Sequence, residues 1–171
     1  MIQVGVGVTY TRGSLRQPLR AQPTQGKRQE LLERYYIPHH QKLTEAVEGA
    51  LLANGNCLII DGHSFPALPL PYELQQTAFR PDFCLGTDDF HTSEELVAKV
   101  EKELQSLGYS TARDQPFSGT IVPMKHSHKD QRVQSLIIEI NRWLYLGEDY
   151  SVDSERTKTL VSVFCDELER C

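Results

Sequence analysis

No stretch of this 171-residue chain approaches the roughly 20 consecutive apolar residues of a bilayer-spanning helix, and its opening MIQVGVGVTYTRG lacks the charged-then-apolar order of a signal peptide. The expectation is a cytoplasmic protein with no membrane partner. Cysteine is scarce and scattered. The four residues at 57, 84, 165 and 171 form no C-x-x-C pair, which excludes a zinc ribbon or a disulfide framework and leaves them as small apolar residues. Basic residues are outnumbered, 18 Lys+Arg against 23 Asp+Glu for a net charge of −5, so a general affinity for phosphate backbones is not expected and nucleic acid is excluded as a partner. Neither G-x-G-x-x-G nor G-x-x-x-x-G-K-[ST] occurs, which disfavours a nucleotide-binding α/β domain. No serine occupies a G-x-S-x-G elbow and no cysteine lies in an electropositive context, so serine and cysteine hydrolase chemistry drop out.

What is present suits one globular domain over residues 1–171: 39% apolar and 24% charged residues, with no internal repeat. Residues 2–8, IQVGVGV, read as a strand or extended arm, and 11–26 as a loop. From Lys27 to Ala53 apolar residues recur at helical spacing, with a kink or break expected at Pro38. Asn54-Gly55-Asn56 supplies turn chemistry, and Cys57–Ile60 reads as a buried strand with Asp61, Gly62, His63 and Ser64 standing beyond its end. Residues 65–81 hold four prolines and no periodicity, which predicts a long loop bordering any site. Strands are expected at 82–86, 109–112 and 134–140, and a short β-prone run at 118–123. Helices are expected from a Thr92 or Ser93 cap to Leu107, and from Asp153 to Arg170. The alternation predicts an α/β three-layer sandwich around a mostly parallel or mixed central sheet, of the phosphorylase/hydrolase-like kind.

Three constellations carry chemistry. Asp61-Gly62-His63-Ser64 follows a buried strand, and strand C-termini in α/β folds open where ligands bind. There His63 either reaches a metal or is a partly buried polar residue in a turn that Asp61 and Ser64 stabilise. Glu139 stands among Ile137, Ile138 and Ile140. Desolvation there raises a carboxylate's pKa toward that of a general base, unless the group faces the rim and pairs with Arg142. Tyr35-Tyr36-Ile37-Pro38-His39-His40 concentrates aromatic and imidazole groups: either the tyrosines pack in the core while one histidine caps backbone, or a neutral imidazole binds metal or relays a proton. His91-x-x-Glu94 has a zinc-like spacing but lies at a polar helix entry, where it reads as chance. His126-Ser127-His128-Lys129 reads as a solvated turn.

The ordered strings RYYIPHHQKL, LIIDGHSFP, PDFCLGT, RDQPFSGTIVP and QSLIIEINRWLY together resemble the N-formylglutamate amidohydrolase family, a branch of the zinc-carboxypeptidase-like fold, from about Gly5 to the C-terminus. The resemblance implies His63 as a zinc ligand, Glu139 as general base, and a pocket lined by His40 and the turn containing Ser118 and Gly119, with Arg142 among the available anion-binding groups. It implies a zinc-bound water whose hydroxide attacks an amide carbonyl of a small N-acyl, N-formyl in particular, amino acid, with Glu139 returning the proton to the leaving amine. The second aromatic of the family's Y-x-P-Y-H string is here His39. The family's His-x-x-Glu-like ligand pair and Asn-Arg clamp lie upstream of the matched segment, so the chain reads as N-terminally truncated, with an incomplete zinc ligand set. Arg12, Arg16, Arg20 and Arg113 are other possible anion-binding groups. The alternative function is a catalytically silent binding or interaction domain on the same fold.

Overall fold

The computed structural model describes residues 9–168 apart from Ala78, with side chains described to residue 162. The arm expected at 2–8 and the chain end beyond 168 lie outside these residues. Helix α1 (Gln25–Leu31) begins two residues before the expected start because Thr24 caps it, its hydroxyl accepting from the Lys27 amide. A π-helical turn, Leu32–Tyr36, then leads without a break into α2 (Ile37–Asn54). Pro38 does not break the helix. It sits in the first turn of α2, where the missing N–H is tolerated, and the widened turn before it absorbs the ring. Gly55 ends α2 in the left-handed conformation at φ +77°, its amide bonding the Leu51 carbonyl.

Strand β1 (Cys57–Phe65) is longer than the sequence suggested and contains Asp61, His63 and Ser64 within its ladder. It is followed by β2 (Phe83–Gly86), α3 (Glu94–Ser106), β3 (Thr111–Arg113), β4 (Val133–Asn141) and α4 (Ser154–Leu168). The β-prone run at 118–123 forms no strand. It crosses one sheet face as an irregular segment, tied by Ser135 Oγ donating to the Ile121 carbonyl at 2.9 Å. Sheet order is β1-β4-β2-β3, with β4 parallel to β1 and antiparallel to β2, and β2 parallel to β3, so the sheet is mixed.

Alternation along β4 divides the molecule. On one face Leu136 and Ile138, with Phe83 and Leu85 of β2, bury against Val97, Val100 and Leu104 of α3 and Leu160 of α4. Ser93 caps α3 and Glu94 and Glu95 complement its N-terminal dipole, so capping and the apolar stripe agree. The opposite face carries the polar members of the strands, the 117–121 segment and a turn at 124–129. Helix α2 reaches this side through Glu48, which pairs with Lys125 and approaches His126. Two expectations need correction here. Tyr35 and Tyr36 are exposed and pack no core, Tyr36 stacking instead on His40 with ring centroids 4.0 Å apart. His126 is buried, not solvated, between Glu48 and Asp130. Among the described residues no helix is long and apolar enough to cross a membrane.

His91 is a structural residue, and Glu94 beside it is spent on Arg113. The His91 ring is buried, its Nε2 accepting from the His128 amide at 2.8 Å, so its Nδ1–H donates to the Val133 carbonyl at 2.7 Å. Both nitrogens are consumed in the neutral ring. His91→Phe keeps the volume but strands both partners, at about 1–3 kcal/mol for each group left buried and unpaired. Urea denaturation is expected to show that loss as a lowered midpoint with an unchanged slope.

Candidate functional site

The ladder between β1 and β4 aligns His63 with Glu139, and the ladder between β4 and β2 aligns Glu139 with Cys84. Side chains of register partners leave a sheet on the same side, so these three form one row across three strands, with Glu139 in the middle. Asp61 lies two residues behind His63 on that face, and its Oδ1 is 3.1 Å from His63 Nε2. His63 remains half exposed at 52% of its side chain, whereas Glu139 is buried.

Burial pushes the Glu139 carboxyl above the usual carboxylate range, and Asp61 and Glu73 add to the effect. His63 and Arg142 oppose it without cancelling it. Arg142 does not form the rim salt bridge that would neutralise Glu139. Its guanidinium donates to Ser64, Nε to the hydroxyl and Nη2 to the carbonyl, each at 3.2 Å. Cys84 is pushed up to about 11, chiefly by burial, and its thiol donates to the Phe117 carbonyl at 3.2 Å. That state is an inert thiol and not a nucleophile.

Ser118 and Gly119 belong to the segment over this row. Gly119 lies at φ +92°, and its carbonyl is so close to Gly86 that a Cβ there would stand 2.7 Å away. Gly86 pairs with Ile137, two residues before Glu139, so any side chain at position 86 would push this segment off the sheet. His40 lies elsewhere. It lines a 420 Å³ depression with Tyr36, Ile37, Gln41, Thr44 and Glu45, all from the helix or its π turn, and burial lowers its pKa with help from His39. Arg113 is held by Glu94 and Glu101, and Arg12 and Arg20 bond backbone carbonyls near the N-terminus.

Three residues that sequence reasoning passed over also border the row. Asn141, register partner of Phe65, is buried and its Nδ2 donates to the Pro81 carbonyl at 3.0 Å. Arg80 and Glu73, from the proline-rich loop, form a buried ion pair beside them. An arginine directly before a proline and a short apolar strand, FRPDFCLG, was the one available signal. Among the described residues no group of three or more His, Cys, Asp or Glu side chains converges, so they do not amount to a zinc site.

The raised Glu139 pKa has a consequence for stability. A carboxyl that binds its proton more tightly when folded loses stability as pH rises from its unfolded to its folded pKa, and the loss is complete above the latter. Glu139→Gln in chelator-treated protein is therefore expected to raise the melting temperature at neutral pH, by about 2–4 °C per kcal/mol of relieved cost, with the difference vanishing below about pH 4. A variant less stable than wild type at neutral pH would contradict this account of the site.

The family model for N-formylglutamate amidohydrolase matches residues 1–146. The crystal structure of N-formylglutamate amidohydrolase from Ralstonia eutropha JMP134 superposes with a TM-score of 0.79 at 31% identity, over 98% of this chain and 61% of that one. A gene product of Agrobacterium tumefaciens shares the fold, with a TM-score of 0.64 at 13% identity over 94% of this chain and 61% of its own. The chain thus spans about three-fifths of each of these structures. Comparison with curated proteins gave no match. With most of its length matched by the family model, and the α/β sheet shared with a solved member, the chain belongs to the N-formylglutamate amidohydrolase family.

Proposed function

We propose that the strand ends bearing His63 and Glu139 serve hydrolysis of the acyl-amide bond of an N-acyl acidic amino acid, with N-formyl-L-glutamate as the substrate. The reading rests on one observation above all: a buried carboxylate with a raised pKa, in register with a half-exposed imidazole on parallel strands. Glu139 takes a proton from the attacking water as its oxygen bonds to the acyl carbon. It returns that proton to the nitrogen as the C–N bond breaks, so that formate and the free amino acid leave. Ser118, Gly119 and Arg142 are assigned to substrate contact, whereas His40, in a depression of its own on the helix, is left out of this assignment. The zinc suggested by sequence resemblance would have in His63 one candidate ligand among the described residues, where it would polarise the acyl carbonyl.

A second reading, a binding domain without turnover, is favoured by the lack of three converging metal donors among the described residues. Assay of formate release from N-formyl-L-glutamate separates the two. Under the hydrolase reading Glu139→Gln lowers kcat by about 10²–10⁴-fold, the range for loss of a general base. In wild type, kcat falls as pH drops through a pKa above the ordinary carboxylate value of about 4.3. Undetectable formate release alongside binding of the substrate would instead establish the second reading. Metal analysis gives a further check: after equilibration with zinc and dialysis, the chain is expected to retain well under one equivalent. Stoichiometric retention would show a ligand set beyond the described residues.

A further inference from the structure

The Arg80 side chain is 1% exposed, yet only part of its guanidinium is used. Nη2 pairs with Glu73 Oε2, whereas Nε and Nη1 are buried with no acceptor among the described residues. Glu73 does not close the fork. Its other oxygen accepts from the Leu70 amide at 3.1 Å and so helps to shape the loop instead. Had the pair evolved only to staple the loop, a two-pronged carboxylate contact would have used the fork fully, as arginine–carboxylate pairs commonly do. Buried donors without partners are rare enough in native proteins to call for an explanation.

The position of Arg80 supplies one. The guanidinium packs beside a pair of phenyl rings that meet edge to face with centroids 5.8 Å apart, its Cζ 5.6 Å from the Phe65 centroid and 5.9 Å from that of Phe117. Phe65 is two residues beyond His63 on the same strand face, and the Phe117 carbonyl accepts from Cys84, the register partner of Glu139. The next residue, Pro81, is tied by its carbonyl to Asn141, two residues beyond Glu139. The site row is therefore flanked by a fixed, desolvated cation with donors to spare.

We propose that Arg80 is the anchor for a carboxylate of the substrate, its unpartnered Nε and Nη1 donating to that group while Glu73 and the two rings hold the guanidinium in place. The assignment rests on the reading of the chain as acting on an N-acyl acidic amino acid, which carries two carboxylates. It explains why a cation is buried beside an acidic row that would otherwise repel a dianion. Phe117, the less buried of the two rings, is the side chain that swings to admit the carboxylate.

Calorimetric titration of the chain with N-formyl-L-glutamate and with glutarate tests this, using wild type, Arg80→Lys and Arg80→Gln. Arg80→Lys keeps a cation for Glu73, and its melting temperature reports whether the fold survives. The expected result is that Arg80→Lys weakens binding of both anions about tenfold or more and Arg80→Gln abolishes it, whereas the neutral N-formyl-L-glutamine amide binds all three proteins alike. If a folded Arg80→Lys binds N-formyl-L-glutamate as wild type does, the anchor is refuted and the hydrolase reading stands. If wild type binds glutarate in an Arg80-dependent way but not N-formyl-L-glutamate, the anchor stands and the substrate reading falls. Binding of neither anion overturns both.

Discussion

Strand β4 is hydrogen-bonded on both sides, and that double constraint fixes the site. A strand free on one side can slip, and a slip of one residue exchanges its faces. Here such a slip would send Glu139 into the Phe83–Leu85–Leu136 core and bring Ile138 or Ile140 to the polar face. Nine register pairs with β1 and four with β2 oppose it. The row Cys84, Glu139, His63 is thus a result of backbone pairing before any side-chain contact is made. Asn141 extends the control outward, since the same alternation that aims Glu139 also aims the amide that holds Pro81.

Much of this was legible in the sequence, for identifiable reasons. Ile137, Ile138 and Ile140 around a single glutamate announce a buried strand with a chemically costly residue. Ser93, the acidic first turn and Gly108 mark the limits of α3, because capping is local chemistry. What escaped depended on partners distant in sequence. Asp61 to Phe65 look like a turn in isolation, since aspartate, glycine and serine are poor strand formers, yet β4 supplies a ladder that carries them. Residues 118–123 have the composition of a strand but pair with none, being held across the polar face by Ser135 Oγ on the Ile121 carbonyl. Arg80 was invisible as a site residue for the same reason. Its significance lies in Phe65 and Phe117, 15 and 37 positions away along the chain.

The two sheet faces do opposing work. One buries Phe83, Leu85, Leu136 and Ile138 almost completely, and each such side chain contributes about 1.5–3 kcal/mol relative to exposure. The other holds Glu139 and Glu73 away from water, where an effective desolvation cost of several kcal/mol per ion applies unless it is offset. Glu73 has Arg80 as its counter-charge, whereas the Glu139 carboxylate lacks one within ion-pairing distance among the described residues, because Arg142 is turned to Ser64. That asymmetry separates a carboxylate that holds another side chain in place from one left free for chemistry. A glutamate whose task is to hold a neighbour is paired, as Glu73 is with Arg80. One kept unpaired draws on the core behind it, and its raised pKa is the form in which that cost appears at the site.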